Sequence, residues 1–555
     1  SMVLRVSVLF LALLVSSPAS SQVRVNSNDS IQYLSEQLLL GSEVRVADAA
    51  LVASNIIPEL YSRREFTPAW ADDDQIDEFV GLIGKAYEEG LNPNDYLHAE
   101  LSSLIRDHRQ NPDDADLQGK LDVLLTESLS RYGNHLVYGK VDPAQLDENW
   151  NWLRSSDGHD PVALVQQAID SDSITAFINN FLDRGPIYQR MRAVLAEYRS
   201  LKEAGGWPLI DAGPTLRLGV EEDRIAVIRK RLAVTGDLSG SEDNRSRVFD
   251  TALEQGVVAF QDRHNLEADG AIGAQTLAAM NVTVDERIDQ IRVNLERLRW
   301  VVRDIEDEFV ITNIASFRTY LVRDREIVWS GRSQVGRFYR QTPVFTAKIK
   351  YLQFNPTWTV PPGILTKDIL PAIQKDIGYL ARKNMDLIDR DGKKVDPASV
   401  DWSQYRAGRL PPYQFVQRPG PTNALGRVKF IFPNSHFVFL HDTPSKALFE
   451  RTERTFSSGC IRVENPFVFA ELLLNNPGKW NSDSIQKLLD SEKPQNVFLD
   501  EPLTVMLLYG TVGATDIELV RFYNDIYQRD ARVLTSLNAA FAFRDVLVGF
   551  TGDTH

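Results

Sequence analysis

The stretch 441-HDTPSKALFERTERTFSSGCIRVENP-466 decides how this chain is read. It holds Cys460, the only cysteine among 555 residues. A lone cysteine excludes an intrachain disulfide and a four-cysteine zinc site. The thiolate, not the thiol, is the nucleophile, and a free cysteine with a pKa of about 8.5 is only a few per cent ionised at neutral pH. A histidine in hydrogen-bond reach can take the proton and later return it to a leaving amine. His436 and His441 both precede the cysteine closely. On a regular strand, residues five apart point to opposite faces, so at most one of the two faces the thiol. Phe437, Phe439 and His441 share a face of the strand expected at Phe437–Leu440. His441 also stands at the strand end, before the turn Asp442-Thr443-Pro444. Strand ends opening into loops are where catalytic groups usually sit, so His441 is the expected general base/acid and Cys460 the expected nucleophile.

Around the thiol the chain reads Phe456-Ser457-Ser458-Gly459-Cys460-Ile461-Arg462. Gly459 lets the backbone come close to a substrate, and the amides of Gly459 and Cys460 are candidates for an oxyanion hole. Ser457 or Ser458 is a candidate for orienting the imidazole. Arg462 is a candidate for holding a substrate carboxylate or fixing the loop. Which group orients His441 stays open among Ser457, Asp442 and a backbone carbonyl. Lys446, Arg451 and Arg454 are further cations for attracting carboxylates, interleaved with Glu450 and Glu453. A helix is expected after Cys460, with Asn465 as cap, Pro466 at its first position, and Val468, Leu472 and Leu473 inward.

The rest of the chain divides by pattern. Residues 2–21, MVLRVSVLFLALLVSSPASS, place Arg5 before an apolar run from Val6 to Val15, with Ala19 and Ser21 as a cleavage box. This is the pattern of a signal peptide, residues 1–21, too short for a membrane span of about 20 apolar residues. Ser1 before Met2 reads as an extraneous residue. No cysteine follows the box, so no lipid anchor is expected. Residues 30–205 carry helical periodicity, as in Ile76–Glu88 and Leu117–Tyr132, with no catalytic pattern. Gly205–Gly219 is a boundary.

Residues 220–282 form a compact unit ending VVAFQDRHNLEADGAIGAQTLAAMNV. There Val257, Val258, Phe260 and Leu266 make a buried stripe, Asp269-Gly270 a tight turn, and Ala274–Met280 a short helix. Residues 284–303 form an amphipathic linker helix with Ile288, Ile291, Leu295 and Leu298 on one face. From Glu308 the pattern alternates as strands, with a hairpin at Arg323–Arg325 and a further strand at Ala347–Phe354. Residues 364–413 are mixed helical and polar and read as a capping insertion. Strands resume at Val428–Phe432 and end with Val505–Tyr509, and Asp516–Tyr527 and Arg532–Ala540 read as helices.

Composition narrows the function. The net charge is -15, with 76 acidic against 61 basic residues. An acidic surface repels phosphate backbones, and no basic patch offsets it, so no nucleic-acid partner is expected. No His-Glu-x-x-His run occurs, so a zinc peptidase of that type is not expected. Export without disulfide pairs points to a Gram-negative periplasm, with secretion as the alternative. A free thiol is a liability in an oxidising compartment, which argues that Cys460 is kept for chemistry.

The quoted stretch resembles the active-site signature of the L,D-transpeptidases, in which a histidine precedes a cysteine lying in a Ser-His-Gly-Cys-x-Arg type motif. His441, Ser457, Gly459, Cys460 and Arg462 match it, and Ser458 stands where the motif has histidine, removing one donor near the oxyanion. TPVFTAKIKYLQFNPTWTVPPGI and QRPGPTNALGRVKFIFPN resemble the large periplasmic branch of that family. The 220–282 unit resembles the peptidoglycan-binding type 1 module through Phe260-Gln261, Leu266, Asp269-Gly270, Ile272-Gly273 and Thr276-Leu277.

The resemblance implies an α+β multidomain protein: a helical scaffold, a small three-helix peptidoglycan-binding module, and a β-rich catalytic domain over 308–510 with a lid insertion, followed by a C-terminal helical segment over 511–555. It implies that Cys460 attacks the bond between diaminopimelate and the terminal D-alanine of a tetrapeptide stem. A second stem then accepts the acyl group, giving a direct diaminopimelate–diaminopimelate cross-link. Tetrapeptide stems are thus the implied donor and acceptor. Carbapenems are the implied inhibitors, and D,D-carboxypeptidases and glycan-polymerising enzymes the implied partners. No metal and no cofactor is implied, and no transmembrane segment is expected after signal cleavage. Trp358, Phe439 and Tyr413 are the aromatic candidates for lining the substrate groove. Water, a free D-amino acid or a protein lysine would be alternative acceptors, and a non-catalytic wall-binding scaffold is the alternative outside enzymes.

Overall fold

In a computed structural model of the protein, residues 25–148, 150–151, 158–240, 244–301, 306–515 and 518–544 are described. The expected signal peptide at 1–21 and His555 lie outside the described residues. The chain divides into two compact units. Among the described residues, the first comprises 25–80, Leu97–Ser130 and Asp160–Asp172 and is helical, with one short hairpin. Two buried carboxylates brace its loops. Asp122 accepts the hydroxyl of Tyr61 at 2.6 Å and the amides of Ala69 and Trp70 at 2.9 Å each. Glu127 accepts the amides of Val52 and Ala53, also at 2.9 Å each. Buried acids persist where hydrogen bonds replace lost water.

The second unit holds everything else, including the elements around Cys460. Nine strands build its main sheet: β1 (Phe309–Asn313), β2 (Arg318–Arg323), β3 (Glu326–Gly336), β4 (Phe345–Phe354), β5 (Val428–Ile431), β6 (Leu440–His441), β7 (Thr455–Ser457), β8 (Ile461–Val463) and β9 (Gln495–Leu508). Their order is β7-β3-β8-β6-β5-β4-β9-β1-β2, and β3 also pairs with β2, so the sheet closes on itself. Eight of the nine strands thus form a closed ring, with β7 attached to β3 alone, and within the ring no strand edge is left open. The β2–β3 hairpin turns at Asp324 and Arg325, both at positive φ (51° and 64°), a left-handed pair that matches strand twist. Val310, Leu352, Val428, Phe430, Leu440, Ile461 and Val505 fill the core, completed by Phe469 and Leu473 of the helix Pro466–Leu474 and Ile485 of Ser482–Asp490.

That first helix departs from the expected one. Asn465 sits in the left-handed region and makes no side-chain cap. Leu473 is buried and Leu472 partly buried as expected, but Val468 is exposed, and Phe469, Ala470 and Leu474 complete the inward face. The i, i+3, i+4 spacing from Pro466 sets this phase. The expected strand at Phe437–Leu440 is also shorter. Asn434 accepts the amides of His436 and Val438 and donates to the carbonyls of Phe432 and Val438, folding 434–438 into a turn. Toward the C-terminus, a helix is observed at Asp530–Asn538, but Val512–Gly513 pairs with Arg521–Phe522 as a hairpin where a helix was expected. Val520 and Phe522 are buried there and Leu519 is exposed, a period of two rather than 3.6.

The chain leaves the sheet at Phe354 and re-enters at Val428, and these two residues are register partners. The excursion is wider than 364–413 because Trp358–Thr359 and Gln414–Gln417 pair with each other at its base. It has its own core of Leu365, Ile369, Leu370, Leu387, Trp402 and Phe415. In the 220–282 segment, Val257, Phe260, Ile272 and Met280 are buried, Val258 and Leu266 partly so, and Gly270 takes φ 75° in the turn. Ile288, Ile291 and Leu295 of the helix Val284–Val301 pack on Tyr188, Leu195 and Phe522.

Candidate active site

Strands β6 and β8 run parallel, with Leu440 beside Ile461 and His441 beside Arg462. Strand β5 sets Lys429 opposite His441, and β3 sets Gln334 opposite Arg462. Leu440, Ile461 and Phe430 are fully buried in the core. Alternation along each strand therefore turns Gln334, Arg462, His441 and Lys429 onto the opposite face, in one row across four strands. Cys460 immediately precedes β8, and the Ile461 amide donates to the Phe439 carbonyl at 3.0 Å. That bond extends the register and puts Cys460 beside Phe439, diagonal to His441 on the same face.

His441 is 4% exposed. Its Nδ1 bonds the main-chain carbonyl of Asp442. A carbonyl partner favours the proton on Nδ1, the tautomer in which Nε2 can act as a base. Burial, then the charges of Arg462 and Lys429, push its pKa down to about 3, against the pull of the Asp442 and Leu425 carbonyls. The imidazole is therefore neutral at rest. The Asp442 carboxylate faces elsewhere and accepts the Arg427 amide at 2.9 Å. Among the groups left open by sequence, a backbone carbonyl orients the ring.

Cys460 is half-buried. Enclosure of the sulfur raises the thiol pKa, while the Phe439 amide and the charges of Lys429 and Arg462 pull it down. Sγ lies 3.7 Å from the Phe437 carbonyl, to which it donates. The resting pair is thus a neutral thiol and a neutral imidazole.

The loop carrying Cys460 is fixed from below. Ser457 Oγ donates to the Cys460 carbonyl at 2.5 Å and accepts the Gly459 amide at 3.1 Å. Gly459 takes φ 120°, a conformation closed to side chains. Its carbonyl accepts Thr342 Oγ1 at 2.8 Å, and Thr342 Oγ1 accepts the Gly336 amide at 2.9 Å. Tyr527 closes the set: its hydroxyl donates to the Gly336 carbonyl at 2.6 Å and accepts the Thr342 amide at 3.2 Å.

Several expectations change in this light. Ser457 is used within the loop and does not orient the imidazole. The Gly459 amide is taken by Ser457, whereas the Cys460 amide has no acceptor among the described residues and is the remaining candidate for an oxyanion donor. Ser458 is exposed and accepts Arg340 Nη1 at 2.7 Å, and Arg340 also pairs with Asp368 of the insertion at 2.8 Å. Arg454 is buried against the carbonyls of Ser333, Arg451 and Phe317, a structural role rather than a substrate-attracting one. Arg462 Nη1 donates to Gln334 at 3.0 Å. Phe439 is half-buried beside Cys460, with the Lys429 ammonium 3.9 Å from its ring centre. Trp358 and Tyr413 pack against the insertion's own core.

Sequence reasoning missed Lys429, Arg340, Thr342 and Tyr527. Only Lys429 left a signal, a lysine set inside the apolar run VKFIF. Among the described residues, no group of acidic, histidine and cysteine side chains is placed to hold a metal ion.

Residues 307–477 match the family described as "L,D-transpeptidase catalytic domain". Residues 221–280 match "Putative peptidoglycan binding domain", and residues 55–195 match "Scaffold domain". A "Putative L,D-transpeptidase" of Haemophilus influenzae is 34% identical over 244 residues, which is 44% of this chain and 48% of that protein. The chain thus spans about half the length of the curated relative it matches. The crystal structure of an L,D-transpeptidase (residues 123-326) from Xylanimonas cellulosilytica is 14% identical and covers 54% of this chain and 98% of its own, with a TM-score of 0.17. That of an L,D-transpeptidase from Stackebrandtia nassauensis is also 14% identical with the same coverage, at a TM-score of 0.20. The chain therefore carries a catalytic domain of the L,D-transpeptidase family, together with a peptidoglycan-binding domain and a scaffold domain. No helix among the described residues is long and apolar enough to cross a membrane.

Proposed function

We propose that this protein is an exported, periplasmic peptidoglycan L,D-transpeptidase that joins two diaminopimelate residues through a Cys460 thioester. The observation that carries the reading is the held imidazole: His441 bonds the Asp442 carbonyl through Nδ1, on the strand face that also bears Cys460. The family match over 307–477 supports the same reading.

In this mechanism Sγ attacks the carbonyl between diaminopimelate and the terminal D-alanine as its proton passes to Nε2. Proton transfer and attack are coupled because neither partner is charged at rest. The Cys460 amide donates to the developing oxyanion. The C–N bond then breaks, and Nε2 gives its proton to the departing amine of D-alanine. A side-chain amine of a second stem attacks the thioester, its proton goes to Nε2, the C–S bond breaks, and the sulfur recovers that proton. An amine must win over water, which calls for a site closed to solvent, and the excursion between Phe354 and Val428 is the candidate cover.

The test is to incubate the protein with disaccharide-tetrapeptide and follow products by mass spectrometry, with Cys460→Ala alongside. A cross-linked dimer with loss of one D-alanine, made only by the native protein, is expected. A tripeptide monomer alone would mean that water takes the acyl group. Turnover retained by Cys460→Ala would overturn the reading.

A further inference from the structure

Two cations, Lys429 and Arg462, act on the thiol, and a third, Arg337, acts on Arg462, all without an acid to match them. Lys429 lies in the row with His441, and its ammonium rests over the ring of Phe439, the residue beside Cys460. Among the described residues, no carboxylate is within salt-bridge reach of it, and it makes no hydrogen bond. Arg462 has only the Gln334 amide oxygen, and its Nε is buried and unpartnered. Arg337, whose charge acts on Arg462, likewise pairs with no acid among the described residues. Other arginines of the same region are matched: Arg340 by Asp368, and Arg332 by Glu450 and Glu464. In a chain with 76 acidic residues against 61 basic ones, such a gap in pairing is not a shortage of partners. Half-buried cations kept unpaired cost stability, and where they cluster beside a nucleophile they point to an anionic ligand.

We propose that Lys429 seats the C-terminal carboxylate of the donor stem, next to the bond that Cys460 attacks. This rests on the transpeptidase reading above and names the group that selects its donor. In a peptide ending in D-alanine, the terminal carboxylate carbon lies about 3–4 Å from the attacked carbonyl carbon by standard backbone dimensions. It must therefore fall among the groups that surround the thiol. Arg462 is tethered through Gln334, whereas the Lys429 ammonium has three free donors on a flexible stem and can follow the carboxylate as the amine departs.

The test compares acylation of Cys460 by the tetrapeptide donor and by the same donor carrying a C-terminal carboxamide, read by intact-protein mass. The native protein is expected to prefer the acid by about ten- to a hundredfold, the range of one charge-assisted hydrogen bond. In Lys429→Met and in Lys429→Gln that preference is expected to fall to near one, and in Lys429→Arg to survive in large part. Two truncations keep the test open should one fold poorly, and thermal melting screens both. A preference that persists in the truncated variants, or one that the native protein lacks, overturns the assignment alone. A native protein acylated by neither donor overturns the transpeptidase reading and this assignment with it.

Discussion

His441 is oriented by the main-chain carbonyl of Asp442, its own neighbour, while the Asp442 carboxylate turns away to the Arg427 amide. The aspartate that follows the histidine is therefore not the acid of a side-chain triad. Its carboxyl is buried and its pKa is pushed up by that burial. A neutral amide should serve in its place. Asp442→Asn is expected to keep turnover within about tenfold, whereas the equivalent change in a Ser-His-Asp triad costs about 10⁴-fold. Steady-state kinetics of donor hydrolysis or cross-linking checks it.

The buried neutral imidazole should make the fold acid-labile. The folded pKa of His441 is about 3 and that of an exposed histidine about 6.5. The unfolded chain therefore binds the proton more readily, and stability is lost as pH falls from 6.5 toward 3. At pH 5 the loss from this residue is about 2 kcal/mol. His135 and His264 are lowered in the same direction by burial, so the whole protein carries a larger slope. Thermal melting at pH 7 and pH 5 should show a smaller difference in His441→Asn than in the native protein.

Gly426 supports the histidine from one step further out. Its φ is 64°, and a Cβ there would sit 2.4 Å from the Asp442 side chain. Gly426→Ala is expected to cost about 1–2 kcal/mol from the left-handed conformation alone, with more from displacing Asp442. Because that displacement moves the carbonyl that holds His441, kcat should fall more than KM changes. Melting temperature and the two kinetic constants, measured together, check both parts.

The two serines before the nucleophile should behave differently. Ser457→Ala removes the hydroxyl that joins the Cys460 carbonyl to the Gly459 amide and leaves both polar groups without it, a loss of about 1–3 kcal/mol. Ser458→Ala removes only an exposed contact to Arg340 and should change stability by less than about 0.5 kcal/mol. Chemical denaturation of both variants checks the contrast.

How much of this was legible in the sequence follows from what a sequence encodes. The β2–β3 hairpin, the strand ending at Phe354, the helix after Cys460 and the helix Val284–Val301 all announce themselves by periodicity and turn residues. His441 and Cys460 announce themselves by residue type, and register then sets them on one face. The Asp442 carbonyl could not be singled out, because every residue carries one and only the local fold aims it. Tyr527 was hidden for a related reason: its partners Gly336 and Thr342 are remote in sequence, and its own segment was read with the wrong period. Val468 was placed inward because PFVFAELLL is apolar on nearly every side, so its sequence does not mark which face meets the sheet.

One feature of the sheet bears on how such a chain is assembled over evolutionary time. Phe354 and Val428 face each other across adjacent antiparallel strands, so everything between them occupies the place of a hairpin turn. Neighbouring strands are about 4.7–4.9 Å apart, a gap that two residues suffice to bridge. The segment also carries a hydrophobic interior of its own. It is therefore a cassette: it can be lengthened, traded or trimmed to a tight turn while strands β4 and β5 keep their register, and the closed sheet need not relearn its fold.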